Sequence, residues 1–239
     1  MLGAGNTDFV VPSNVGKDKL PPKSPPSDMS QLSDHYKMNY EHHIFLSYAR
    51  GDLWTPWVKD RFLPRLIAYL ESEVGELDVS VDHQIRAGAY WDENLRGRLA
   101  RSRIMVALIS ANYFHSAYCR LEMALMLERE KRLGLEGHDE NYGLLIPVRL
   151  GDGLTFPDVI TRVQYHDFVD FADPDLPNGS TRASNFNDSI KKLVQIIRDT
   201  LPRVPEECSE DWLTFTGGDF LEALRAKKLS VPQPPRLIV

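Results

Sequence analysis

Glu122 is the residue best placed by sequence to do chemistry. It lies in Ser110 to Leu127, SANYFHSAYCRLEMALML, directly after an unbroken apolar run, Ile104 to Ile109. That run is short, rich in branched residues and ends at Ser110 and Asn112, as a fully buried strand does. Leu121, Met123, Leu125, Met126 and Leu127 then supply more apolar surface than an exposed helix carries, so the spacing predicts a helix packed on a sheet. A carboxylate in the first turns of such a helix lies near the positive end of its macrodipole, just beyond the carboxyl end of a buried strand. Open α/β sheets place their ligands there. On the residues alone, a solvated helix glutamate is the simpler reading.

Other chemistries find less support. The two cysteines, Cys119 and Cys208, form neither a disulfide framework nor a metal pattern, which points to a reducing, cytoplasmic setting. Nothing near Cys119 in sequence would activate it as a nucleophile, so it reads as a small buried side chain. His35, His42, His43, His83, His115, His138 and His166 show no metal spacing, and His42 and His43 point to opposite faces of a strand. GDGL at 151 to 154 lacks the G-x-G-x-x-G pattern and opens no helix, so no bound redox dinucleotide or other cofactor is expected.

The elements that must position Glu122 follow from periodicity. Residues 1 to 40, with PPKSPPS at 21 to 27 and few apolar residues beyond Phe9, Val10 and Val11, read as a flexible arm. Ile44, Phe45 and Leu46 make a short buried strand, and Ser47 to Asp52 form the loop at its carboxyl end. Trp57, Phe62, Leu63, Leu66, Ile67 and Leu70 recur at helical spacing from Thr55 to Ser72, with a kink expected at Pro64. Leu77 to Val81 alternates as a strand near a sheet edge should. Asp82 to Tyr90 is a long loop of functional appearance, and Trp91 to Arg101 a short helix carrying Arg96, Arg98 and Arg101. The helix of Glu122 runs to about Leu133. A fourth strand, Leu144 to Leu150, contains Pro147, which predicts an edge or a bulge. Val163 to Phe171 alternates as a fifth strand, and Asn185 to Leu201 is a closing amphipathic helix. Strands alternating with helices imply a layered, flavodoxin-like α/β domain over 41 to 201 with a parallel five-stranded sheet. Residues 202 to 239 form an extension with a short helix at Asp219 to Lys228.

Composition bounds the function classes. The chain has 239 residues, 42% hydrophobic, 26% charged and 10% aromatic, with a net charge of −6. That balance suits one soluble domain with extensions and argues against general affinity for nucleic acid or an anionic membrane. No window holds about 18 uninterrupted apolar residues, and the N-terminus carries no signal-peptide pattern.

Taken together, IFLSYARGD at 44 to 52, the Asp82 to Trp91 loop, RSRIMVALISANYFHSAYCRLEM at 101 to 123 and LLIPVRL at 144 to 150 resemble a TIR (Toll/interleukin-1 receptor) domain. The most specific parts are F-L-S-Y with a nearby acidic residue and the S-x-Y-C-x-x-E pattern of Ser116, Tyr118, Cys119 and Glu122. The resemblance implies one of two functions. Some TIR domains are adaptors that signal by self-association, and others cleave NAD+ at the nicotinamide–ribose bond with a glutamate at the position matching Glu122.

Under the second implication NAD+ is a consumed substrate, and Glu122 hydrogen-bonds ribose hydroxyls and stabilises charge developing at the anomeric carbon. Phe45, Tyr48, Tyr90 or Trp91 could stack on nicotinamide or adenine, although Phe45 suits the core better and Trp91 suits either role. Arg50 is a forked donor for the pyrophosphate, or a counterion to Asp52. Ser47, Ser116 and Asp82 are lesser candidates for hydroxyl contacts, and Tyr118 and Cys119 belong to the same motif. The resemblance also implies self-association and a separate sensor or activator protein, in an immune or cell-death setting such as defence against phage. The rivals are a non-enzymatic adaptor assembling through the Asp82 to Tyr90 loop, and a nucleoside-processing transferase of related fold.

Overall fold

The computed structural model describes residues 37–51, 54–81, 91–135, 143–151, 165–173, 175–177, 179–209 and 212–213, without the side chains of 37, 38 and 91–95. The elements are β1 (Lys37–Asn39), β2 (His42–Tyr48), α1 (Thr55–Trp57), a π-helical turn (Val58–Phe62), α2 (Leu63–Glu73), β3 (Val79–Val81), α3 (Trp91–Ala100), β4 (Ser102–Ile109), a 3-10 turn (Tyr113–His115), α4 (Ala117–Arg132), β5 (Leu145–Arg149), β6 (His166–Asp167), α5 (Thr181–Thr200) and β7 (Glu207–Ser209). Five strands form one parallel sheet in the order β3-β2-β4-β5-β6. Counted within that sheet alone, this is the 2-1-3-4-5 order of flavodoxin-like folds. The short β3 lies at the edge that its alternation predicted.

Side-chain alternation along each strand divides the core into two layers. Ile44, Leu46, Tyr48, Ile104, Val106, Leu108, Ile146 and Val148 face one way, against Trp57, Phe62 and Leu66 and against Phe186, Ile190 and Ile197 of α5. Phe45, Met105, Ala107, Ile109 and Leu145 face the other way, against α3 and α4. Helix α4 is buried on every side, since Leu121 through Leu127 are all nearly inaccessible, as a helix apolar all round must be. Among the described residues no helix is long and apolar enough to cross a membrane.

Pro64 and Pro147 act as backbone punctuation, in ways that local pattern reveals only in part. Pro64 has no N–H to give a carbonyl four residues back. The chain anticipates this with a π-helical turn, in which the Leu63 N–H bonds the Val58 carbonyl five residues back. Pro147 was expected to mark an edge or a bulge, yet β5 lies between β4 and β6. The Leu144 carbonyl accepts from Met105 N–H and the Leu150 N–H donates to Ile109, so the even-numbered residues of β5 face β4. Pro147 therefore faces the β6 side, where, among the described residues, pairing begins at Val148 with His166.

The Leu145 N–H points to the same side and is met by a helix carboxylate. Glu130 of α4 is buried and its Oε1 accepts the Leu145 N–H at 2.7 Å. A Cβ on Gly143 would overlap that carboxylate. Gly143→Ala is expected to displace Glu130 and leave the Leu145 N–H unpaired, costing about 2 kcal/mol. A urea midpoint unchanged from wild type would contradict this.

The predicted fifth strand reduces, among its described residues, to His166–Asp167. After Phe168 donates to the Arg149 carbonyl, the chain turns, with the Phe171 and Ala172 N–H groups both bonding the Phe168 carbonyl. The closing helix starts at Thr181, earlier than its apolar face revealed, because Ser180 caps it by accepting from the Ala183 N–H at 3.1 Å. Residues 37 to 39, read as the end of a flexible arm, instead pair antiparallel with β7 of the extension. Residues 1 to 36 of that arm and the helix expected at Asp219 to Lys228 lie outside the described residues.

Two histidines make stability pH-dependent. Burial first, then Arg103, lowers the pKa of His43, whose Nδ1 accepts the Asp78 N–H at 3.1 Å. Burial, then Lys192, lowers that of His166. The folded state thus binds fewer protons than the unfolded chain below the ordinary histidine value of about 6.5. Stability from both groups is present above that value and is lost as pH falls through their folded pKa values. The melting temperature is expected to drop between about pH 7 and 5, and His43→Asn with His166→Asn should flatten that slope. An unchanged slope in the double variant would contradict the assignment.

Candidate active site

The carboxyl end of β2 and the start of α4 meet on the α3–α4 face of the sheet. Ser47 is the next residue after Phe45 on that face, opposite Ala107 of β4, and the small neighbour leaves room for a side chain from α4. Beyond Ile109 the chain makes its 3-10 turn, with the Tyr113 N–H on the Ser110 carbonyl and the His115 N–H on the Asn112 carbonyl. Ser116 then stops in extended conformation, and its hydroxyl accepts the Cys119 N–H at 3.3 Å, which caps α4. This sequence of turns sets Glu122 over Ser47.

Glu122 is 2% exposed. Ser47, 1% exposed, donates its hydroxyl proton to Glu122 Oε2 at 2.5 Å. The Ser47 oxygen is also 2.7 Å from the hydroxyl of Tyr113, which is fully buried and edge-on to Phe114 at 5.4 Å between ring centroids. Burial first, then the charges of Cys119 and Glu122, push the Tyr113 phenol well above its ordinary pKa, outweighing the lowering effect of the Ser47 bond. Tyr113 therefore keeps its proton. With Glu122 ionised, the carboxylate only accepts and Ser47 has one proton, so the bonds run from Tyr113 to Ser47 to Glu122.

The helix-dipole setting expected for Glu122 is weakened by the structure. It sits in the second turn of α4, whose first turn holds no acidic residue, and the dipole effect fades within that first turn. Its fixed partner is Ser47. A carboxylate so held in a water-poor site can stabilise positive charge developing beside it far better than one in solvent.

The other candidates disperse. Phe45 is fully buried core behind Ser47. Tyr48 lies in the opposite core layer, with Trp57. Arg50 is exposed in the turn after β2, next to Gly51 at φ 69°. The Ser116 hydroxyl is the helix cap described above. Tyr118 is 37% exposed on the first turn of α4, and Cys119 is buried and takes part in no disulfide. Trp91 opens α3, and its side chain, with all of Asp82 and Tyr90, lies outside the described residues. Tyr113 was missed. The available signal was an aromatic hydroxyl between a buried strand and a buried helix, which must find a polar partner.

Among the described residues no group of three or more His, Cys, Asp and Glu side chains is placed to hold a metal ion. A cavity of about 620 Å³ opens on the other side of the sheet, lined by Trp57, Asp60, Arg61, Arg65, Phe186 and Asn187 among others, and Glu122 takes no part in it.

The family model for the TIR domain matches residues 44–178. Among solved structures, the chain is similar to the TIR domain of the Toll-related receptor TRR-2 from Hydra magnipapillata, at 16% identity over 66% of this chain and 98% of that one, with a TM-score of 0.40. It is also similar to the TIR domains of the activated Roq1 resistosome, which directly recognises the pathogen effector XopQ, at 16% identity over 77% of this chain and 96% of that one, with a TM-score of 0.33. No curated protein matches significantly. The family match spans more than half of the chain, from within β2 to beyond β6, and on that basis the chain belongs to the TIR domain family.

Proposed function

We propose that this TIR domain cleaves NAD+ at the nicotinamide–ribose bond, releasing nicotinamide and ADP-ribose or a cyclic isomer. One observation carries the reading: a buried glutamate, held by a serine hydroxyl, at the carboxyl end of the central strands. Ordinary glycoside hydrolysis needs two carboxylates, one of them to protonate a poor leaving group. Nicotinamide leaves as a neutral molecule from a cationic ring, so one carboxylate suffices. Glu122 stabilises the oxocarbenium-like centre and accepts from ribose hydroxyls, while Arg50 is the candidate for the pyrophosphate.

A carboxylate 2% exposed cannot touch a ribose until its surroundings move. The reading therefore includes an opening step, which self-association of TIR domains supplies, triggered by a separate sensor protein in an immune or cell-death response. The same burial favours a second reading, an adaptor in which Glu122 only holds α4 on the sheet and signalling proceeds by homotypic assembly. Chromatography of NAD+ incubated with increasing protein concentrations separates the two. The enzyme reading expects nicotinamide and an ADP-ribosyl product at a rate rising more steeply than linearly with protein. Assembled protein that leaves NAD+ intact would favour the adaptor.

A further inference from the structure

Resting on the reading of Glu122 as the reacting carboxylate, we infer that Tyr113 is a positioning residue, whose hydroxyl orients Ser47 so that the serine O–H stays directed at Glu122. The reasoning begins with the cost of burial. Ser47, Tyr113 and Glu122 are all within 2% of complete burial, on a face otherwise built from Phe45, Met105, Ala107 and Ile109. Phenylalanine would fill the Tyr113 site equally well against Phe114, and alanine would pack at Ser47 as it does at Ala107. Buried hydroxyls are tolerated only when bonded, and here Ser47 is bonded on both sides, at 2.7 Å and 2.5 Å.

A serine hydroxyl is a free rotor, and its proton can turn toward any nearby acceptor. Tyr113 removes that freedom. By donating into a lone pair of Ser47 it blocks the rotamers that aim the serine proton back at the phenol, and it polarises the O–H toward Glu122. Donation to the carboxylate favours its charged form, which is the form that stabilises a cationic centre. Burial also raises the pKa of the phenol, so Tyr113 remains the donor to Ser47 while Glu122 is ionised.

The test uses the full chain with Tyr113→Phe, Ser47→Ala and the double variant. Tyr113→Phe keeps the ring and removes only the hydroxyl, so folding is preserved. Its kcat should fall about fivefold to tenfold, by loss of one cooperative hydrogen bond, with KM unchanged. The acid limb of the kcat profile should move to higher pH, because a less well solvated carboxylate protonates sooner. In the Ser47→Ala background the same substitution should have no further effect. Fully multiplicative losses, or an acid limb that does not move, would overturn the relay.

A second readout does not depend on turnover. The pH dependence of the melting temperature should differ between wild type and Tyr113→Phe, and that difference should vanish when both carry Glu122→Gln. A difference that vanishes in this way, in protein that releases no nicotinamide, keeps the relay and rejects the NAD+ reading. A difference that persists without the carboxylate, or none at all, rejects the relay even in an active enzyme.

Discussion

Glu122→Gln is expected to lower nicotinamide release about 10³-fold, the scale lost when one preorganised electrostatic group is removed from a water-poor site. That corresponds to about 4 kcal/mol of transition-state stabilisation. The substitution keeps the shape of the side chain and an oxygen that accepts from Ser47, so the hydrogen bond at 2.5 Å has a successor. What disappears is the charge. The variant should therefore melt close to wild type, and kcat should carry the loss in steady-state kinetics. A variant retaining a tenth or more of the activity would show that Glu122 anchors α4 and does no chemistry.

Arg129→Leu is expected to remove about 3 kcal/mol of stability, by leaving buried acceptors without a donor. Arg129 is 1% exposed near the C-terminal end of α4. It donates to the Leu99 and Ser102 carbonyls at 3.2 and 2.9 Å, and to the Tyr40 hydroxyl at 3.1 Å. Its guanidinium also lies 5.7 Å from the Tyr40 ring and 5.9 Å from that of Trp212, so it ties the segments beside β1 and β7 to the helix that carries Glu122. Leucine preserves packing volume but leaves both carbonyls at the α3–β4 junction unpaired. Lysine should rescue poorly, since one ammonium cannot reproduce a planar fork. Chemical denaturation gives the answer directly, and a midpoint within error of wild type would contradict the assignment.

The parts of the fold that were legible in the sequence are those where one short-range rule dominates. Ile104 to Ile109 reads as a buried strand because nothing but a parallel sheet core accepts such a run, and the structure puts it at the centre of the sheet. Leu121 to Leu127 reads as a helix packed on the sheet because it carries more apolar surface than an exposed helix does, and the structure adds that it is buried on every side, Glu122 included. Pro147 was harder, because its meaning depends on which side of β5 its missing N–H faces, and that is set by pairing with β4 and β6. The pairing of Lys37–Asn39 with Glu207–Ser209 joins segments too far apart in sequence for local pattern to reveal.

The candidate site divides along the same line. Glu122 and Ser47 belong to motifs, and the structure brings them together. Tyr48, adjacent to Ser47 in the same motif, goes to the opposite layer because strand neighbours alternate. Ser116 sits in the other motif but serves the helix as its cap. Tyr113 lies in neither motif as read from sequence, and its part emerges only when β2 and the 3-10 turn are placed in contact.

The most direct measurement is nicotinamide release from NAD+ by the purified protein, at high concentration with a crowding agent, beside Glu122→Gln under the same conditions. The account predicts release by the wild type and its loss in a folded variant. No release from visibly assembled wild type, or equal release by both proteins, would contradict it.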